Sequence, residues 1–143
     1  VRASPQVTAA LMASEDMVAD LGTARSRTAE ELAYARSRFL VECRAAGVEA
    51  IDCPYTFSDV RGAAAEARHA RRLGYRAKSL VAPAHAAALN RVFSPSAAEI
   101  ARARRIVAAF ERARAAGRER AHVGGLLVEV PIYAAARRLL DSL

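Results

Sequence analysis

The 143-residue sequence has no apolar run approaching the roughly 20 residues that span a bilayer, so a membrane protein is not expected. It shows no secretory leader: "VRASPQV" is not followed by an apolar core and a cleavage site. Cysteine is scarce. Cys43 and Cys53, ten residues apart, make neither a metal-binding pair nor a disulfide framework, and are read as two reduced thiols. Histidine is equally thin, and His69, His85 and His122 are too scattered for a ligand set. Linkers, internal repeats and low-complexity tails are absent. Lysine occurs once, at Lys78, so all but one of the 22 basic residues are arginine. These absences leave one ordinary domain, expected to be cytoplasmic.

What is present is apolar content of 53% and a formal charge of +7. The first suffices for a core and excludes a disordered chain. The second could suit nucleic acid. The arginines, however, alternate with alanines on helical stretches and are not interleaved with aromatics, so a solvated arginine surface is favoured and no nucleic-acid partner is expected. A phosphorylated coenzyme would also suit a positive surface.

Along the chain, strand and helix patterns alternate. "VTAALMA" (7–13), "VEAIDCPY" (48–55) and "YRAKSLVAP" (75–83) read as strands. Between them lie a helix opened by Thr28 with Glu31 as a capping box and closed by Gly47, and a helix capped by Ser58 or Asp59 and closed by Gly74. A short helix follows Pro83. A long one opens with a second capping box, Ser96 and Glu99, and stops at Gly117; its stripe of Ile100, Ala103, Val107 and Phe110 predicts core packing. The tail reads as a short extended piece and a helix beginning near Pro131. Crossovers of this length imply parallel β-structure, in which chemistry gathers at the carboxyl ends of the strands. Those ends carry Glu15 and Asp16, then Asp52 and Tyr55, then Pro83. The acids in "ALMASEDMVADLG" (10–22), at the exit of what reads as a buried strand, suit either a metal site or a helix start that favours negative charge.

The ordered pieces resemble the C-terminal half of the citrate lyase beta-subunit family, also called the HpcH/HpaI aldolase family, which includes malyl-CoA lyases. "ALMASEDMVADLG" is similar to its strand exit ending Gly-Ala-Glu-Asp, "ARRLGYRAKSLVAP" to its Leu-Gly-Phe-x-Gly-Lys…Ile-His-Pro, "LNRVFSPSAAEIARARRIVAAFE" to its Asn-x-x-Phe-x-Pro-Ser segment, and "GGLLVEVPIYAAARRLL" to its Asp-Gly-Lys-Met-Ile-Asp-x-Pro. The resemblance implies an α/β fold comprising about three βα units of a TIM barrel (residues 1–120) and a helical C-terminal extension (residues 121–143). It implies Mg²⁺-dependent carbon–carbon cleavage of a citryl-, malyl- or citramalyl-CoA type ester, with acyl-CoA and keto-acid substrates and a homo-oligomeric state. It implies that Asp16 binds Mg²⁺, that Ser14, Glu15 and Asp16 hold the keto-acid carboxylate, and that Glu129, where the family has Asp, moves a proton at the acyl α-carbon. The family's residues are replaced at Ala13, Ala82, Gly124 and Leu126, which favours the alternative of an inactive remnant or assembly subunit. A complete barrel takes about 250 residues. The missing strands imply a fragment or a separate partner, and the alternative fold is a small three-stranded α/β domain that stands alone.

Overall fold

The computed structural model describes residues 4–143, so part of the stretch read as leaderless lies outside the described residues. The chain forms two compact units, Val1–Ser94 and Pro95–Leu143. The first contains β1 (Ala9–Leu11), α1 (Ser14–Asp20), α2 (Ala33–Ala46), β2 (Glu49–Asp52), α3 (Val60–Leu73), β3 (Ala77–Lys78) and α4 (Ala86–Phe93). The strands form a parallel sheet in the order β1-β2-β3, as the helical crossovers require. Ladder-type bonds extend past the short strands, from Glu49 N–H to Thr8 O (2.9 Å) at one end and from Ser79 N–H to Asp52 O (3.0 Å) at the other.

Register decides which residues share a face. Leu11, Ile51 and Ala77 align across the three strands, while Ala10 pairs with Ala50 and Asp52 with Lys78. The Ala50 side is packed: Ala50 is buried with Leu40, Cys43, Ala70 and Tyr75 from the helical side. The Leu11 side is open, with Leu11 52% exposed. The expectation that β1 is a buried strand is not met: Ala9 and Leu11 are exposed, and Ala10 is half-buried against the helical side.

The predicted capping box at Thr28 is not formed. A 3-10 turn over Glu30–Leu32 precedes α2, and the Glu31 carboxylate accepts instead from Ser26, through its N–H at 3.0 Å and its Oγ at 2.5 Å. Ala29, buried, enters this turn in the left-handed region, at φ 56°. Asp59 caps α3 as expected, accepting from Gly62 N–H at 2.7 Å.

The second unit contains α5 (Ala97–Ala115), β4 (Ala121–Val123), β5 (Leu126–Val128) and α6 (Val130–Leu140). The capping box of Ser96 and Glu99 is present. The stripe on α5 is core: Ala103, Ile106, Val107 and Phe110 are buried with Ala121, Val128 and Ala136, and Phe110 stacks on Tyr133 at 4.7 Å. The extended piece predicted in the tail is an antiparallel hairpin. Gly124 and Gly125, both at positive φ, make the two-residue turn that right-twisted strands prefer. Because α5 packs with this hairpin and α6, the compact units divide after Ser94; the boundary expected after residue 120 concerned the limits of a catalytic domain. No helix among the described residues is long and apolar enough to cross a membrane.

Candidate active site

The strand exit after β1 is held from below by two buried side chains, Met12 and Val18, which pack with Leu32 and Cys53. The turn between them opens α1. Ser14 is buried, and its Oγ donates to Glu15 Oε1 at 3.4 Å. Glu15 and Asp16 stand in the first turn of the helix and are exposed. Negative charge is favoured there by the helix dipole and by backbone N–H groups without intrahelical partners. Asp16 has no hydrogen bond or ion pair among the described residues, whereas Glu15 Oε1 lies 3.5 Å from Arg25 Nε.

Arg25 leads into a buried ionic network on the helical side of the sheet. Its Nη2 donates to Glu66 Oε1 at 2.7 Å, and its Nη1 donates to Ser26 O at 2.7 Å and Glu31 Oε1 at 3.1 Å. Arg36 grips Asp52 as a fork, Nε to Oδ1 at 2.9 Å and Nη2 to Oδ2 at 2.8 Å. Lys78 Nζ donates to Asp52 Oδ2 at 2.7 Å and to the Cys53 carbonyl. Glu66 completes the set, 3.5 Å from Arg36 Nη1 and 3.8 Å from Lys78 Nζ. Three cations thus face Asp52, Glu66 and Glu31, the balance that buried charge requires. Burial alone would lower the affinity of Arg36 for its proton, but the hydrogen bonds and charge of Asp52 outweigh it and the pKa rises. Burial likewise raises Glu31, yet the Ser26 and Arg25 bonds bring it down to about 2. Cys53, buried beside Asp52, is pushed up to about 11, an unreactive thiol.

A second cluster lies beyond β2. Tyr55 Oη donates to Asp59 Oδ2 at 2.8 Å, Arg27 Nη1 reaches the same oxygen at 2.6 Å, and the Arg27 guanidinium sits 4.7 Å above the Phe57 ring. His85 is a packing histidine, buried with Nε2 3.2 Å from Ser58 O.

Ser14, Glu15 and Asp16 are therefore neighbours on one turn. Glu129 belongs to the second unit, where it precedes α6 and pairs with Arg120 Nε at 2.9 Å. Among the described residues no three His, Cys, Asp or Glu side chains gather to enclose a metal ion. Mg²⁺ does not need such a cage: one or two carboxylates with substrate oxygens and waters suffice. Asp16 fits as one such ligand.

A profile of the HpcH/HpaI aldolase/citrate lyase family matches residues 1–83. The chain belongs to that family. It is 37% identical to a (3S)-malyl-CoA thioesterase of Cereibacter sphaeroides, over 98% of this chain and 50% of the relative. It is 34% identical to the citrate lyase subunit beta of Escherichia coli, over 97% of this chain and 46% of the relative. Among solved structures it is similar to the protein CitE from Mycobacterium tuberculosis in complex with magnesium, acetoacetate and coenzyme A, with a TM-score of 0.76, 26% identity, and 92% of this chain and 50% of that one covered. The chain spans about half the length of the curated relatives it matches.

In this HpcH/HpaI chain the positions that depart from the family pattern have ordinary structural work. Ala82 is extended backbone before Pro83, Gly124 opens the hairpin turn, and Leu126 packs against the core of the second unit. The sequence reading missed the network of Arg25, Arg36, Glu66 and Lys78. Two signals pointed to it. Glu66 falls on the stripe Ala63, Ala67, Ala70 of α3, a charged residue in a buried row, and Lys78 is the single lysine.

Proposed function

We propose that this chain is the C-terminal part of a Mg²⁺-dependent, cytoplasmic CoA-ester lyase acting on a citryl-, malyl- or citramalyl-CoA type ester. Residues 1–120 belong to its TIM barrel and residues 121–143 form an extension that serves an oligomer contact. The observation that carries the reading is Asp16: a carboxylate without a partner, turned to solvent, on the turn after β1 of an HpcH/HpaI chain. In this reading Asp16 holds the ion, and the free N–H groups of the turn at Ser14–Asp16 take the keto-acid carboxylate. Bound Mg²⁺ would supply polarisation of the keto-acid carbonyl. As the carbon–carbon bond breaks, the substrate hydroxyl loses its proton to water, and Glu129, reaching the site of a neighbouring subunit in its acid form, gives a proton to the acyl α-carbon; its carboxylate removes that proton in condensation. For this Glu129 must leave Arg120, an exposed pair that costs little to open. The remaining strands, in the same polypeptide or a partner, complete the metal and coenzyme sites.

A second reading, an inactive remnant or assembly subunit, is favoured by the same Arg120–Glu129 pair and by Ala82, Gly124 and Leu126 in place of the family's polar residues. Asp16→Ala in the protein with its complementary strands separates the two. The lyase reading expects loss of Mg²⁺-dependent cleavage with a change in stability under about 0.5 kcal/mol, as for an exposed side chain. Unaltered cleavage, or none in the unsubstituted protein, would defeat it.

A further inference from the structure

We infer that Arg25 is a positioning residue: it sets the turn at Ser14–Asp16 by tying Glu15 to the buried ionic network. The inference rests on the proposed role of that turn in binding. Its grounds are geometric. Arg25 lies on the loop after α1, yet its side chain is 6% exposed. Its Nη1 donates to Glu31 and to the Ser26 carbonyl, and its Nη2 donates to Glu66 of α3. Those bonds fix the guanidinium plane. Nε is buried and without a hydrogen bond, and Glu15 Oε1 lies 3.5 Å from it. A fixed cation whose buried Nε makes no hydrogen bond therefore stands behind the exposed turn. Its charge attracts Glu15 inward, while the next residue, Asp16, is left free for a ligand.

The α1 helix needs such a tether. It has seven residues, no side-chain cap, and only Ser14 and Val18 buried. A helix this short is unstable by itself. Lysine at position 25 could satisfy one buried partner but lacks the second and third nitrogens of a rigid fork, so it should keep the fold better than it keeps the turn.

The test compares the full chain with Glu15→Gln and Arg25→Lys, and with Ala67→Gly as a control that loosens α3 away from the turn. Hydrogen exchange is read at the α1 amides from Met17 on, without metal. At least a tenfold faster exchange in α1 is expected for both Glu15→Gln and Arg25→Lys, with the α3 amides far less affected. Mn²⁺ binding to the protein with its complementary strands, followed by electron paramagnetic resonance, should weaken at least fivefold in Arg25→Lys and stay unchanged in Ala67→Gly. Unchanged α1 exchange in Glu15→Gln, which alters an exposed group and leaves the buried network whole, overturns the inference. So does an α1 response in the Ala67→Gly control equal to that of Arg25→Lys. An unsubstituted protein that binds no Mn²⁺ even with its complementary strands defeats the metal reading of Asp16, and the exchange measurement still decides the role of Arg25.

Discussion

At the scale of single residues, the first unit is governed by charges that are paired or committed to backbone. Glu31 is the clearest case, because it accepts from Ser26 and Arg25 and its pKa falls from 4.5 to about 2. A carboxyl with a depressed folded pKa contributes stability that is fully present above its unfolded value and disappears as the pH falls through the folded one. The melting temperature should therefore drop between pH 4.5 and 2, and should drop less steeply in Glu31→Gln, as followed by circular dichroism. Asp59, brought to about 2 by Tyr55, Gly62 and Arg27, adds to the same acid limb. A flat profile in the unsubstituted chain would contradict both assignments. Gly62 shows a different constraint. A Cβ at this position would collide with the Tyr55 hydroxyl and ring and approach Asp59 Oδ1 to 2.7 Å. Alanine normally gains about 1 kcal/mol over glycine in a helix. Here the overpacking of a buried tyrosine, about 1–3 kcal/mol, works against it. Gly62→Ala should lower the urea midpoint, and a raised midpoint would show that Tyr55 moves aside freely.

At the scale of elements, local signals were readable wherever the residue that caps also lies beside the group it caps. Ser96 accepts from Glu99 N–H at 3.2 Å and Glu99 accepts from Ser96 N–H at 2.8 Å. Thr28 and Glu31 show the same spacing in sequence but not in space, because Ser26 and Arg25 compete for the Glu31 carboxylate and win through three bonds. Ser96→Ala should cost about 1 kcal/mol, whereas Thr28→Ala should be near neutral, since its hydroxyl meets only Ser26 Oγ at 3.3 Å. Chemical unfolding of the two variants side by side checks this, and equal losses would reject it. The parallel α/β order and the stripe of α5 were legible for the same reason: periodicity and glycine stops are properties of neighbouring residues. The hairpin of the second unit is visible in sequence only as an extended piece, since its strands are three residues each, too short to show an alternating pattern. The network around Asp52 was hidden more deeply. Arg25 and Arg36 are two arginines among many, and only tertiary register brings Asp52 beside Lys78 and under α2 and α3.

At the scale of the whole molecule, the exposed apolar side chains along the sheet of the first unit bear on assembly. Leu11 is 52% exposed, β1 and β3 are both edges, and Val7, Leu80 and Val81 are exposed nearby in sequence. Edge strands with exposed apolar side chains pair with other chains unless they are covered. In an HpcH/HpaI chain spanning about half of its relatives, strands supplied from elsewhere are the cover that the proposed function requires. This gives Leu11 two opposite expected behaviours. In the chain alone, Leu11→Lys should change stability by less than about 0.5 kcal/mol, because the side chain already meets water. It should also reduce self-association in sedimentation velocity. In the protein with its complementary strands the same lysine would enter an enclosed face, where an unpaired charge is strongly unfavourable, and both assembly and melting temperature should fall. A Leu11→Lys variant that assembles with those strands as well as the unsubstituted chain would mean that this face stays open to solvent, and the barrel reading would then give way to a three-stranded domain that stands alone.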